Sequence, residues 1–155
     1  MPTTLREELR QGKPFSSLHE EALLSIARTE AVAREKLERV LAPHDLSMTQ
    51  YNVLRILRGA GTAGLCRNEI GERLIARMPD VTRLLDRMEA AGLVRRIRST
   101  TDRRLVNTML TAKGRTLVDR LDAPIAQYQE EQVGHLTRAQ LKSLIELMRL
   151  VRAAT

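Results

Sequence analysis

Residues 81–104 set an amphipathic helix ahead of two short alternating runs joined by an arginine-rich link, and few folds accommodate that succession. Val81, Leu84, Leu85 and Met88 fall at i, i+3, i+4 and i+7, which puts all four on one side of a helix and predicts that they enter a core. Arg77, Asp80, Arg83 and Arg87 then share the outward side. Gly92 stops the helix. Residues 93–98 and 105–110 have the character of strands, and the link 99–104 is too polar to be anything but an exposed loop. A helix followed by an arginine-tipped hairpin is a shape suited to gripping a nucleic acid duplex.

The charge agrees. The chain of 155 residues is about one domain long and carries a net charge of +7, which favours a polyanionic partner but does not by itself separate nucleic acid from an anionic membrane. Its distribution is more telling: Arg95, Arg96, Arg98, Arg103 and Arg104 crowd the hairpin against the single acid Asp102, whereas residues 17–41 mix both signs. Aromatics are limited to Phe15, Tyr51 and Tyr128, too few and too scattered for the stacking platforms of single-strand binders, so duplex DNA is the expected partner. The lone cysteine, Cys66, excludes an internal disulfide. No run approaches the length of a membrane span, and the N-terminus carries acids and lacks an apolar signal core, so a cytoplasmic, non-membrane protein is expected.

Along the chain, residues 1–14 are expected to form a flexible N-terminal arm, although Leu5 and Leu9 would support one helical turn. Ser17 with Glu20 forms a capping box opening a long helix that Pro43 ends, and Ser47 with Gln50 opens a shorter one with Tyr51, Leu54 and Leu57 inward, stopped by Gly59 and Gly61. Leu65 supplies a minimal strand, Cys66 or Arg67 starts a two-turn helix anchored by Ile70 and Leu74, and Pro79 suits the first position of the next. Thr111 caps a helix that Pro124 should kink, Gly134 breaks the run, and Thr137 with Gln140 opens the last helix. In that last helix Leu141, Leu144, Ile145, Leu147, Met148, Leu150 and Val151 cover an arc of about 220°, about twice the stripe needed against a single core. The simplest way to bury it is against its own chain and a second copy; a helix central to a monomeric bundle is the alternative.

The fold expected is mainly α with a small β-hairpin wing: a winged helix-turn-helix over residues 46–110, with helices 15–45 and 111–155 forming a dimerisation region. The runs LSMTQYNVL at 46–54, VTRLLDRME at 81–89, GLV at 92–94, DRR at 102–104 and LTAKG at 110–114 resemble, in order and spacing, the multiple antibiotic resistance regulator (MarR) family, over about residues 17–152. The resemblance implies a winged-helix dimer held by its terminal helices. It also implies a repressor that releases a pseudo-palindromic operator on binding a small phenolic or lipophilic effector, or on cysteine oxidation.

The resemblance and the residue pattern agree that the helix around 79–91 enters the major groove. Arg83 and Arg77 are the candidates for base edges, because a guanidinium bonds guanine O6 and N7 together, while Thr82 and Arg87 suit phosphates. The competing view makes Arg83 and Arg87 a solvated face paired with Asp80 or Asp86. Asp80 stands where the family has a small hydroxyl residue; it could accept from a cytosine, stabilise the helix start or exclude wrong sequences. The pair Asp102 and Arg104 matches the family's wing, whose arginine enters the minor groove, with Arg96, Arg98 and Arg103 adding phosphate contacts. Pro79 belongs to the same surface. His19, Met48, Tyr51 and Arg55 are the candidate effector-lining residues implied by the resemblance, each equally readable as core or surface, and Leu18, Leu141, Leu144, Leu147, Met148 and Val151 are the expected dimer contacts. Cys66 beside Arg67 could respond to oxidants, but a small buried residue near a helix start is the plainer reading. His19, His44 and His135 lack metal-ligand spacing, and no nucleophile elbow, phosphate loop or paired-acid motif supports catalysis, so no metal, cofactor or enzyme activity is expected. A duplex binder of architectural type, without an effector, is the remaining alternative.

Overall fold

The computed structural model describes residues 3–98 and 105–153, in two compact units: residues up to Leu37, and residues from Glu38 onward. In the first, the segment expected as an arm contains α1 (Leu5–Glu8), whose N-cap Thr4 accepts from Glu7 N while the Glu7 carboxylate accepts from Thr4 N at 2.7 Å. Arg28 closes this turn onto α2 (Leu18–Leu41) by an ion pair to Glu8 at 3.2 Å. The expected capping box at the start of α2 is only half made. Ser17 Oγ accepts from Glu20 N, but the Glu20 carboxylate turns one residue further back, to Ser16 N at 2.6 Å and Ser16 Oγ at 2.7 Å. α2 ends at Leu41, and Pro43 lies in a short 3₁₀ turn after it.

In the second unit, α3 (Met48–Ala60) opens with the full Ser47–Gln50 box and buries Tyr51, Val53, Leu54 and Leu57. It continues through Gly59, which was expected to stop it, and ends at Gly61, where φ is +66° and a side chain would be strained. β1 (Leu65–Cys66), α4 (Arg67–Arg73), α5 (Val81–Ala90), β2 (Val94–Arg98) and β3 (Val106–Leu110) follow. The three strands form an antiparallel sheet in the order β1-β3-β2, with Val94 opposite Leu110 and Arg98 opposite Val106. Leu54, Leu57, Ile70, Met88, Val94, Val118 and Leu121 are sealed from solvent in the core beneath it.

Two glycines explain why the hairpin leaves α5 where it does. Past Ala91 the chain turns at Gly92, φ +73°, with Gly92 N bonded to Glu89 O at 2.8 Å and Leu93 N to Met88 O at 3.0 Å, the paired bonds of a Schellman stop. Gly114 in α6 (Ala112–Arg120) lies so close to the Leu93 carbonyl that an added Cβ would come within 2.0 Å of its oxygen. Thr111 ties the two together: its hydroxyl donates to Gly92 O at 2.6 Å and accepts from Gly114 N at 3.0 Å.

The helix expected to kink at Pro124 is broken at Leu121, giving α6 and α7 (Asp122–Val133), because the proline ring has no N–H for the Arg120 carbonyl and crowds it. Arg58 of α3 spans the break, bonding Asp119 at 3.0 Å and Asp122 at 2.9 Å with both nitrogens. α8 (Arg138–Arg152) opens with the Thr137–Gln140 box and buries none of its residues.

Candidate nucleic-acid interface

α5 starts later than the sequence suggests. Asp80, not a residue before Pro79, is the N-cap, its Oδ1 accepting from Arg83 N at 2.9 Å, so Pro79 lies in the approach to the helix rather than at its first position. A carboxylate there satisfies a free amide and complements the helix dipole. Of the three roles open to Asp80, stabilising the helix start is the one the geometry displays. Leu84, Leu85 and Met88 are buried as the spacing requires, and Val81 is half-buried. Thr82, Arg83, Asp86, Arg87 and Glu89 are exposed.

The ion pairs proposed to neutralise the exposed arginines do not form. Asp80 is engaged in the cap, and Asp86 pairs with Arg96 of β2. Arg77, Arg83 and Arg87 have no ion-pair partner among the described residues. Arg96, expected on a phosphate, is instead a strut: its backbone N–H donates to Glu89 Oε1 at 3.0 Å, its guanidinium bonds Asp86, and its Nε lies 3.3 Å from Glu89 Oε2, without hydrogen-bond alignment. Two carboxylates neutralise it, and the contact braces the hairpin against α5. Arg98 is exposed at the end of β2. Asp102, Arg103 and Arg104 lie outside the described residues.

Thr82 has a partner the sequence did not suggest. Arg67, the first residue of α4, donates from Nη1 to Thr82 Oγ1 at 3.2 Å. Two grooves flank this contact. One, of about 630 Å³, lies between α4 and α5 and includes Arg67, Gly71, Arg77, Pro79 and Thr82; the other, about 320 Å³, lies towards the sheet and includes Cys66, Arg67, Leu85, Arg96 and Val106. Cys66 is half-buried and N-caps α4, its backbone N–H donating to the Glu69 carboxylate at 2.8 Å. That bond, first among its causes, holds the Glu69 carboxyl below the ordinary glutamate range.

Three of the four effector candidates lie on one helix. Met48, Tyr51 and Arg55 share α3, with the Arg55 guanidinium 6.0 Å from the Tyr51 ring centre; burial pushes the Tyr51 hydroxyl up, against the opposing pull of Arg55. His19 is exposed on α2. The grooves beside α5 are lined by other residues. Among the described residues, no cluster of His, Cys, Asp or Glu could hold a metal ion, and no helix is long and apolar enough to cross a membrane.

Comparison with known proteins decides the family. The MarR family model matches residues 46–106, the span from the approach to α3 through the start of β3. A MarR transcription factor from Planctomyces limnophilus is 40% identical in sequence, with a TM-score of 0.67 over 88% of this chain and 99% of that one. This chain belongs to the MarR family. A MarR mutant from E. coli solved with operator DNA is 26% identical, with a TM-score of 0.76 over 88% of this chain and 99% of that one. Among curated proteins, the homoprotocatechuate degradative operon repressor of Escherichia coli is 24% identical over 84% of this chain and 87% of its own length. The regulator TtmR of Methylorubrum extorquens is 45% identical over 54% of this chain, a match spanning 42% of that protein. These relatives are transcription regulators rather than enzymes. This MarR-family chain is accordingly a winged-helix, DNA-binding transcription regulator.

Proposed function

We propose that this protein is a homodimeric repressor, acting in the cytoplasm, that reads a pseudo-palindromic operator with one α5 from each copy and lets go when a small lipophilic or phenolic effector binds. The observation that carries the dimer is α8, where Leu144, Ile145, Leu147, Leu150 and Val151 all stand exposed on one helix. Contiguous apolar surface of that kind marks an interface, and a self-complementary patch gives a two-fold pair. Leu141 and Met148 are half-buried on the same helix, and Leu18 on α2 is 82% exposed, so the residues expected at the interface are available to a second copy. Two recognition helices in successive major grooves must then stand about 34–36 Å apart.

In this reading Arg83 and Arg77 meet base edges, Arg87 and Arg98 meet phosphates, and Arg104 with Asp102 and Arg103 at the wing enters the minor groove. The effector acts only through differential affinity for the dimer whose helix spacing fits DNA. A relative named for the operon that degrades homoprotocatechuate, a phenolic acid, supports that chemical class. The test combines mass by light scattering with titration of the duplex upstream of the gene, with and without a panel of phenolic carboxylates. A mass of two chains, one dimer per site and weakened binding by at least one phenolic acid are expected; a single-chain mass at concentrations that saturate DNA overturns the proposal.

A further inference from the structure

Arg67 is a cation beside α5 that neither helical spacing nor family motif assigned to DNA. It opens α4, yet its side chain crosses to α5, with Nη1 donating to Thr82 Oγ1 at 3.2 Å and Nη2 reaching Asn68 Oδ1 at 3.5 Å. No carboxylate pairs with it among the described residues. Glu69, two positions away, is turned to the Cys66 amide instead. Arg67, Asn68 and Thr82 line both grooves beside α5, which puts the guanidinium on the ridge between them.

The chemistry of this contact is incomplete in a specific way. A threonine hydroxyl has one donor hydrogen and two acceptor lone pairs; Arg67 occupies a lone pair and leaves the O–H free to donate. A guanidinium has five N–H groups, of which Thr82 and Asn68 engage two. Two donors, one of them charged, therefore stand side by side, one from each helix of the helix-turn-helix. A tetrahedral anion accepts from both, and charge-assisted bonds of this kind are the stronger ones.

We infer that Arg67 and Thr82 act as a pincer on a single DNA phosphate, the α4 guanidinium supplying the charge and the α5 hydroxyl the second donor. This rests on the DNA-binding reading of α5. Thr82 is then not an independent phosphate contact: Arg67 orients and polarises it, and one phosphate fixes the register of α4 and α5 on the duplex.

Because a phosphate contact is independent of base sequence, a mixed-sequence duplex of about 30 base pairs, about three helical turns, serves as the probe, with affinity followed from about 50 to about 200 mM salt. Arg67→Ala is expected to weaken binding about tenfold and to flatten the log–log salt slope by about 0.9 for each Arg67 engaged. Thr82→Val removes a neutral donor, so affinity falls while the slope holds. The double variant loses less than the product of the two single losses, and Arg67→Lys keeps the slope while losing affinity. An unchanged slope in Arg67→Ala, or single effects that simply multiply, overturns the pincer, as does a lowered melting temperature with unaltered binding, which would mark Arg67 as a strut alone. Arg87→Ala, at the α5 arginine assigned to a phosphate, run in parallel on the same duplex separates the two failures: if it weakens binding and Arg67→Ala does not, only the pincer falls; if neither does, the assignment of α5 to DNA falls as well.

Discussion

α5 and α8 are both amphipathic helices, and the chain treats them in opposite ways. In α5 the apolar residues form a narrow stripe, and Leu84, Leu85 and Met88 are 3%, 2% and 0% exposed. In α8 the apolar arc is wide, and Ile145 and Leu147 remain 66% and 57% exposed. A helix whose apolar side is already satisfied within its own chain has its polar side free for a ligand, which for α5 is, in the function proposed, DNA. A helix whose apolar side is unsatisfied presents that side as a binding surface, and for α8 the partner proposed is a second copy.

The sharpest way to break the contrast is to charge α8. Leu147→Glu should give single-chain mass by light scattering and weaken operator binding by about 10²–10⁴-fold, because the second half-site is no longer tethered to the first. The core around Val53 and Met88 should be untouched by that change. Met88→Ala asks the converse question of α5: a fully buried side chain is lost, so denaturant unfolding should show about 2–5 kcal/mol less stability, with the mass of the assembly retained. Arg83→Ala acts on the opposite face of the same helix. Operator affinity should drop by about 1–3 kcal/mol while the unfolding midpoint stays put, and a shifted midpoint would mean that the arginine is structural after all.

Smaller still is the effect of pH at the α6–α7 joint. Hydrogen bonds from Arg58, the leading cause, hold the Asp122 carboxyl below the ordinary aspartate range. The folded chain thus binds that proton less readily than the unfolded one. The stability this group contributes is present above the ordinary aspartate value and is lost as pH falls through the lowered one. Melting temperature followed into that acidic window should decline more steeply for the native chain than for Asp122→Asn; parallel curves would show that Arg58 does not stabilise the ionised carboxylate.

Much of this arrangement is written locally. The capping boxes at Ser47 and Thr137, the cap at Thr111 and the stop at Gly92 each depend on residues within about four positions of one another, which is the range over which helix ends are decided. Where the helix ends differ from the local pattern, the causes are equally local. Proline suits a first helical position, but Asp80, next to Pro79, is the better cap and takes the role. Glycine weakens helices, yet α3, with Leu54 and Leu57 in the core, runs past Gly59 and stops at Gly61, the second of the two expected stops.

Within the site, that Arg83 and Arg87 have no ion-pair partner among the described residues, and that Arg96 is a brace, lay beyond the sequence. Both depend on where Asp86 and Glu89 find a partner, and that partner comes from β2, folded back on α5 by the Schellman turn. The reach of Arg67 to Thr82 spans 15 positions, and Arg58 to Asp119 spans 61. No periodicity of 2 or 3.6 encodes such pairs.

By itself, then, the sequence determined which segments are helices, which face of each is apolar, where basic charge gathers and which family the motifs resemble, because each of these follows from short-range spacing and backbone preference. The tertiary structure alone decided which charges are neutralised and which stay free, which polar groups meet across elements, and that α8 keeps its apolar side uncovered. Those outcomes depend on distances between residues far apart in the chain, and only the packed molecule sets them.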